Sequence, residues 1–215
     1  YPATAYLKGF LNTKQISSFQ MDLGIEVILK VFSKKGLQKI FNTEVDFKKI
    51  SPNAQRIWTL KEAYIKTIDQ VILFLQGQNS TLARQVCSMN FLPEASSFNA
   101  IDDLEFTFGN MGLQDKAKHL CTLYLEDISD FIVECIDADF GFSRYAERLG
   151  RSANTFDELY SKLTGPKTFI DEITLKILQE KMELLQPKLV CFSVPFPGNL
   201  YSAFRCAQLI RQHYP

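Results

Sequence analysis

Ala3, Tyr6, Leu7, Phe10 and Leu11 recur at intervals of three and four residues, which places them on one side of a helix, so the spacing predicts a short amphipathic helix at the start of the chain. Residues 16–23 (ISSFQMDL) alternate in part, through Ile16, Phe19 and Met21, and predict a strand that Gly24 breaks. Ile25, Ile28, Leu29 and Phe32 mark a second helix, which Gly36 ends or kinks. From 42 to 185 the pattern is almost wholly helical. Trp58, Ile65, Ile68, Ile72 and Leu75 line a long helix with Gly77 at its C-terminal cap. Cys121, Tyr124, Leu125, Ile128, Phe131, Ile132 and Cys135 line another. Thr155 followed by Glu158 in TFDE matches a capping box. Ile170, Ile173, Ile177, Leu178 and Leu185 mark a last helix, stopped by Pro187. Stripes of this kind are packing faces.

The pattern then changes. Residues 189–194 (LVCFSV) form a nearly continuous apolar run, as in a strand buried on both faces of a parallel sheet. PFPGN at 195–199 is a turn that ends on Asn199, a residue type suited to a helix N-cap. Leu200, Ala203, Phe204, Ala207 and Ile210 make the apolar side of a final helix. Two strands, each followed by a helix, cannot satisfy their own edges or hold a core between helix layers. The expectation is therefore an α/β fold: an incomplete doubly wound (Rossmann-like) parallel sheet with a large, mainly α-helical insertion, in a piece of a longer protein. The boundaries are 1–41 for the first part of the α/β domain, 42–186 for the insertion and 187–215 for the continuation.

Composition narrows the function classes. Lysine and arginine number 24 against 24 aspartates and glutamates, so the basic excess that phosphate binding requires is absent, and no nucleic-acid partner is expected. No apolar run approaches the ~20 residues that cross a bilayer. Cys87, Cys121, Cys135, Cys191 and Cys206 are widely spaced, with no CxxC or CxxxCxxC set, and read as buried thiols in a reducing cytoplasm. The 18 phenylalanines read as core material rather than as a platform for stacked bases.

In an open α/β sheet a ligand binds beyond the carboxyl ends of the strands. That rule selects Asp22, at the end of the first predicted strand, and Ser193, at the end of the second. It also selects Gly198 and Asn199, where a glycine permits close backbone approach and a helix start offers unpaired amides. The competing explanation is a tight turn shaped by Gly198 and its two neighbouring prolines. No residues at the required spacing mark a catalytic or metal site.

Four stretches together resemble radical S-adenosylmethionine proteins that carry an N-terminal cobalamin-binding domain. They are YPATAYLKGFL at 1–11, FQMDLGIE at 19–26, FGFSRYAERL at 140–149 with FDEL at 156–159, and PKLVCFSVPFPGNLYSAFRCAQLIR at 187–211. The resemblance implies an accessory cobalamin-binding-like domain of an iron–sulfur enzyme, a methyltransferase or a peptide-modifying enzyme, with Asp22, Ser193, Gly198 and Asn199 around the cofactor. The four-iron cluster and S-adenosylmethionine would then belong to a missing C-terminal part, because the cluster-binding CxxxCxxC is absent here; DxHxxG, the motif of one class of cobalamin domains, is absent too. By this reading the fragment is inactive alone and its partner is the remainder of its own polypeptide. The alternative is an interaction module without a cofactor, in which the helical region binds a peptide or protein substrate.

Overall fold

The computed structural model describes residues 2–88, 91–100, 112–142 and 156–214. Among them every regular element is helical: α1 (Pro2–Thr13), α2 (Leu23–Val31), α3 (Lys34–Phe41), α4 (Pro52–Thr59), α5 (Lys61–Leu75), α6 (Leu82–Val86), a 3₁₀ turn (Ser96–Ala100), α7 (Leu113–Cys135), α8 (Asp157–Thr164), α9 (Phe169–Leu185) and α10 (Gly198–His213).

The expected parallel sheet is absent: the described residues contain no strand. Two local causes account for it. Residues 16–22 are held as irregular chain beside α1, with Lys8 Nζ donating to the Ser18 carbonyl (3.3 Å) and Gln20 Nε2 to Thr4 Oγ1 (2.6 Å). Asp22 then accepts from the amide of Ile25 at 3.0 Å, so Leu23 opens a helix instead of closing a strand. Residues 189–194 have strand-forming composition but no neighbouring strand to complete a ladder, and they stay irregular.

The chain divides into two compact units. Unit 2 is continuous, Leu29–Ala138, and unit 1 combines Tyr1–Ile28 with Asp139–Pro215. The division falls within α2, after Ile28.

In unit 2, α7 runs as the central helix against α4, α5, α6 and the 3₁₀ turn, while α3 packs on α5. The stripe predicted for α7 is largely inward, with Cys121, Tyr124, Ile128, Phe131 and Ile132 fully buried. The single long helix expected through Trp58 is two helices. Leu60, at φ −90° and ψ 8°, departs from helical geometry and separates α4 from α5. Gly77 has φ +77°, and the amides of Gly77 and Gln78 donate to the carbonyls of Phe74 and Leu73 (both 2.9 Å), the hydrogen-bond pair of a Schellman motif. Gly36 does not end a helix. It lies inside α3, where a Cβ would overlap the backbone carbonyls of Lys30 and Val31, so close backbone approach, not chain reversal, is what this glycine permits.

In unit 1, α10 packs against α9 and α8. Leu175, Leu178, Met182, Cys206 and Leu209 form one cluster, bordered by Leu23 and Val190; Leu159, Leu163 and Tyr201 form another. The inward face of α10 is rotated from the expected stripe. Gly198, Tyr201, Arg205, Cys206 and Leu209 are buried, whereas Phe204 and Ala207 are exposed. Thr155 and residues 143–149 of the FGFSRYAERL stretch lie outside the described residues; the helix that follows Thr155 begins at Asp157.

Candidate functional site

The buried polar groups are the natural first candidates for chemistry. In unit 1, Asp171 stands at the third position of α9 and forms a capping box with Thr168: the Asp171 amide donates to Thr168 Oγ1 (3.1 Å), and the Thr168 amide donates to Asp171 Oδ2 (3.2 Å). The same oxygen accepts the Tyr201 hydroxyl at 2.7 Å and faces Arg205 Nε at 3.1 Å. Arg205, one helical turn after Tyr201, turns its remaining donors to the C-terminal end of α8 and the loop beyond. Nη1 reaches the Leu163 carbonyl (3.0 Å), and Nη2 reaches those of Lys162 (2.8 Å), Pro166 (3.2 Å) and Gly165 (3.3 Å). These are carbonyls that a helix end leaves without intrahelical partners. Burial first, then the hydrogen bond to Asp171, raises the Tyr201 phenol above its ordinary value and keeps it neutral. The network is closed: every member is engaged in holding α8, α9 and α10 together.

Unit 2 buries the carboxylates of Asp127 and Asp137. Asp127, fully enclosed, accepts from the amides of Ala95 (2.8 Å) and Ser97 (2.9 Å) and from the Tyr64 hydroxyl (3.2 Å). Tyr124 donates to the Tyr64 carbonyl (2.9 Å) and shares a hydrogen bond with Thr67 (3.0 Å). Both phenols are raised, mainly by burial. Asp127 fixes the 3₁₀ turn to α7, an architectural role. Among the described residues no group of three or more His, Cys, Asp and Glu side chains could hold a metal ion.

The residues selected from the sequence occupy a different setting. Asp22 caps α2, and its carboxylate is engaged with the Ile25 amide. Ser193 is exposed in the irregular stretch before α10. Gly198 is the buried first residue of α10. Asn199 is already inside the helix, its amide donating to the Phe196 carbonyl at 3.0 Å, while the Leu200 amide donates to Pro197 at 3.0 Å. The segments bearing Asp22 and Ser193 border one core cluster, through Leu23 and Val190. Among the described residues no strand end lies around them to form the floor on which a doubly wound fold seats cobalamin, so their setting does not fit that cofactor in the way the resemblance implies.

No family model, curated protein or solved structure matches the chain.

The feature that sets unit 1 apart is its surface. Of the nineteen exposed large hydrophobic side chains among the described residues, fifteen belong to unit 1, although the two units are similar in length. α1 presents Tyr6, Leu7 and Phe10 outward at 78%, 59% and 58% exposure, while Thr4 and Lys8, on the other side of that helix, are the groups bonded to the chain that follows. Leu189, at 80% exposure, opens a second apolar stretch that continues through Phe192, Val194 and Phe196. A groove of about 740 Å³ between the loop after α8 and the end of α10 is lined by Leu163, Gly165, Lys167, Arg205, Gln208 and Arg211, and by none of the four sequence-selected residues. Its buried arginine is neutralised by Asp171, which leaves a lining mainly of exposed surface side chains. The Tyr201–Arg205–Asp171 network gave little warning in the sequence. TFID at 168–171 is a capping-box spacing with Asp in place of the usual Glu, but nothing in the apolar pattern of α10 marks Arg205 as inward.

Proposed function

We propose that this chain acts by binding polypeptide through the apolar surface of unit 1, without catalysing a reaction itself. The supporting observation is the asymmetry between the units: among the described residues unit 2 exposes four large hydrophobic side chains, and unit 1 fifteen, including Tyr6, Leu7, Phe10, Ile16 and Phe19 in its first stretch and Leu189, Phe192, Val194 and Phe196 in its last. Exposed apolar side chains gathered in this way are the ordinary mark of a surface that another chain covers. Asp127 and Asp171, the two most deeply buried carboxylates among the described residues, support the same reading, because each is engaged in holding helices rather than facing a cleft. The resemblance to radical S-adenosylmethionine proteins names one such polypeptide, the remainder of the chain's own parent enzyme, which would carry the cluster and the radical chemistry.

Two measurements test the proposal. Peptides selected from a random display library on the folded chain are expected to be apolar and to lose at least tenfold in affinity on Phe10→Asp, an exposed position whose change leaves the fold intact. If no binders emerge, the reading is wrong. Hydroxocobalamin titrated into the chain is expected to keep its free visible spectrum. A stoichiometric spectral change would instead favour a cofactor-holding role.

A further inference from the structure

We propose that the groove between the loop after α8 and the end of α10 holds an acidic stretch of polypeptide, with carboxylates against its exposed cations and an aliphatic side chain on its buried leucines. The inference rests on the reading of unit 1 as a polypeptide-binding surface and adds to it a second contact of different chemistry.

The groove lies wholly within unit 1, and its volume of about 740 Å³ falls in the range of ligand sites, roughly 300–1,000 Å³. α8, α9 and α10 each contribute a buried leucine to the lining: Leu163, Leu175 and Leu209. The exposed part of the lining is cationic. Lys167 and Arg211 are both exposed, and among the described residues neither side chain has an ion pair or a hydrogen bond. No aspartate or glutamate lines the groove, and none occurs in residues 162–170 or anywhere in α10. Of the three cations in the lining, Asp171 neutralises Arg205, which leaves the charges of Lys167 and Arg211 unbalanced. Arg205 adds a donor as well. A guanidinium has five N–H groups. Nη1 carries two of them and has one acceptor among the described residues, the Leu163 carbonyl at 3.0 Å, although the residue is only 5% exposed. A buried donor left unmet is costly, and an anionic oxygen in the groove would satisfy it.

The charge count selects the occupant. Dense polyanions such as nucleic acid, and anionic membranes, are held by larger basic clusters. This chain has 24 basic and 24 acidic residues, and the groove offers only two unbalanced cations. Two cations over buried leucines match a pair of carboxylates flanking an aliphatic side chain, a spacing of charge and apolar surface that a peptide presents.

The probes are acetylated, amidated peptides Glu-Leu-Leu-Glu, Gln-Leu-Leu-Gln and Lys-Leu-Leu-Lys, titrated into the folded full chain and followed by amide chemical shifts. The Glu peptide is expected to bind at least tenfold more tightly than the Gln peptide, to shift Gly165, Lys167 and Gln208, and to weaken as salt is raised. Lys167→Glu combined with Arg211→Glu, both at exposed positions, should turn the preference towards the Lys peptide with helical circular dichroism unchanged; Lys167→Gln with Arg211→Gln should remove the preference in either direction. Equal binding of the Glu and Gln peptides, or a preference that survives both double variants, overturns the inference. So does tighter binding of oligothymidylate or phosphatidylserine vesicles than of the Glu peptide. If the groove fails these tests while the library-selected apolar peptides still bind and still depend on Phe10, the polypeptide-binding reading stands without it; if no peptide binds, both fall.

Discussion

Arg205 is a single side chain on which three helices depend. Its guanidinium closes the end of α8, neutralises the Asp171 carboxylate that caps α9, and projects from α10 itself. Asp171 and Arg205 are both almost fully buried, at 2% and 5% exposure. Removing one partner of such a pair leaves an uncompensated charge and several unpaired carbonyls, a loss of about 3–5 kcal/mol. Arg205→Met is therefore expected to lower the urea midpoint of unit 1 by that equivalent. Tyr201→Phe, which removes one hydroxyl from the same oxygen, should cost about 1–2 kcal/mol. Equal losses from the two changes would show that Arg205 is not the central member. Asp171 is also the residue most nearly legible beforehand, since its spacing from Thr168 belongs to a known helix-start pattern. Arg205 was not legible: a charged residue between Phe204 and Cys206 looks like a solvent-facing position until the carbonyls it serves are known, and those belong to residues 39 to 43 positions earlier in the chain.

At the scale of elements, helix ends are well specified. α1 closes on Gln15 at φ +57°, with the amides of Gln15 and Ile16 donating to the carbonyls of Asn12 and Leu11 at 3.0 Å. A left-handed residue at that position costs least as glycine, so Gln15→Gly is expected to stabilise α1 by about 0.5–1 kcal/mol. Increased amide-exchange protection across α1 would register the gain; unchanged protection would mean that the helix end does not limit its stability. The helices were legible because their apolar spacing repeats over several turns. Cys121, Tyr124, Leu125, Ile128, Phe131, Ile132 and Cys135 leave little ambiguity. The strands were misread because a short apolar run has no period long enough to name its structure. LVCFSV has the composition of a buried strand, but strand formation depends on a neighbour, and that information is not in the run itself. Residues 16–22 failed differently. A local hydrogen bond from Asp22 began a helix, and Gln20 and Lys8 tied the preceding chain to α1. The four candidate site residues were chosen for the geometry of strand ends, which the described residues do not contain.

At the scale of the whole molecule, thiols and phenols govern the response to alkali. Burial pushes the thiols of Cys121 and Cys206 up to about 12 and that of Cys135 to about 11, from 9.0. A folded value above the unfolded one means that the folded chain holds the proton more tightly. The stabilisation is complete below pH 9 and is lost as pH rises from there toward 11–12. The raised phenols of Tyr64, Tyr124 and Tyr201 act in the same direction, starting from 10.0. Urea midpoints should thus be flat from pH 7 to 8.5 and fall steeply beyond pH 9.5; a midpoint that holds to pH 11 would contradict the burial of these groups. Thiol titration of the folded chain at pH 8 should modify exposed Cys191 first and reach buried Cys121 and Cys206 only after unfolding. No helix among the described residues is long and apolar enough to cross a membrane.

The discontinuity of unit 1 has a consequence for how the chain is made. Residues 29–138 form a continuous body that can fold as soon as they leave the ribosome, but residues 1–28 belong with a stretch that begins only at Asp139. At translation rates of about 5–20 residues per second, the first segment waits for roughly 5–20 seconds while the intervening 110 residues are synthesised. Throughout that interval Tyr6, Leu7, Phe10, Ile16 and Phe19 stay on the nascent chain without the rest of their unit, an apolar stretch that must wait in water for its packing partners.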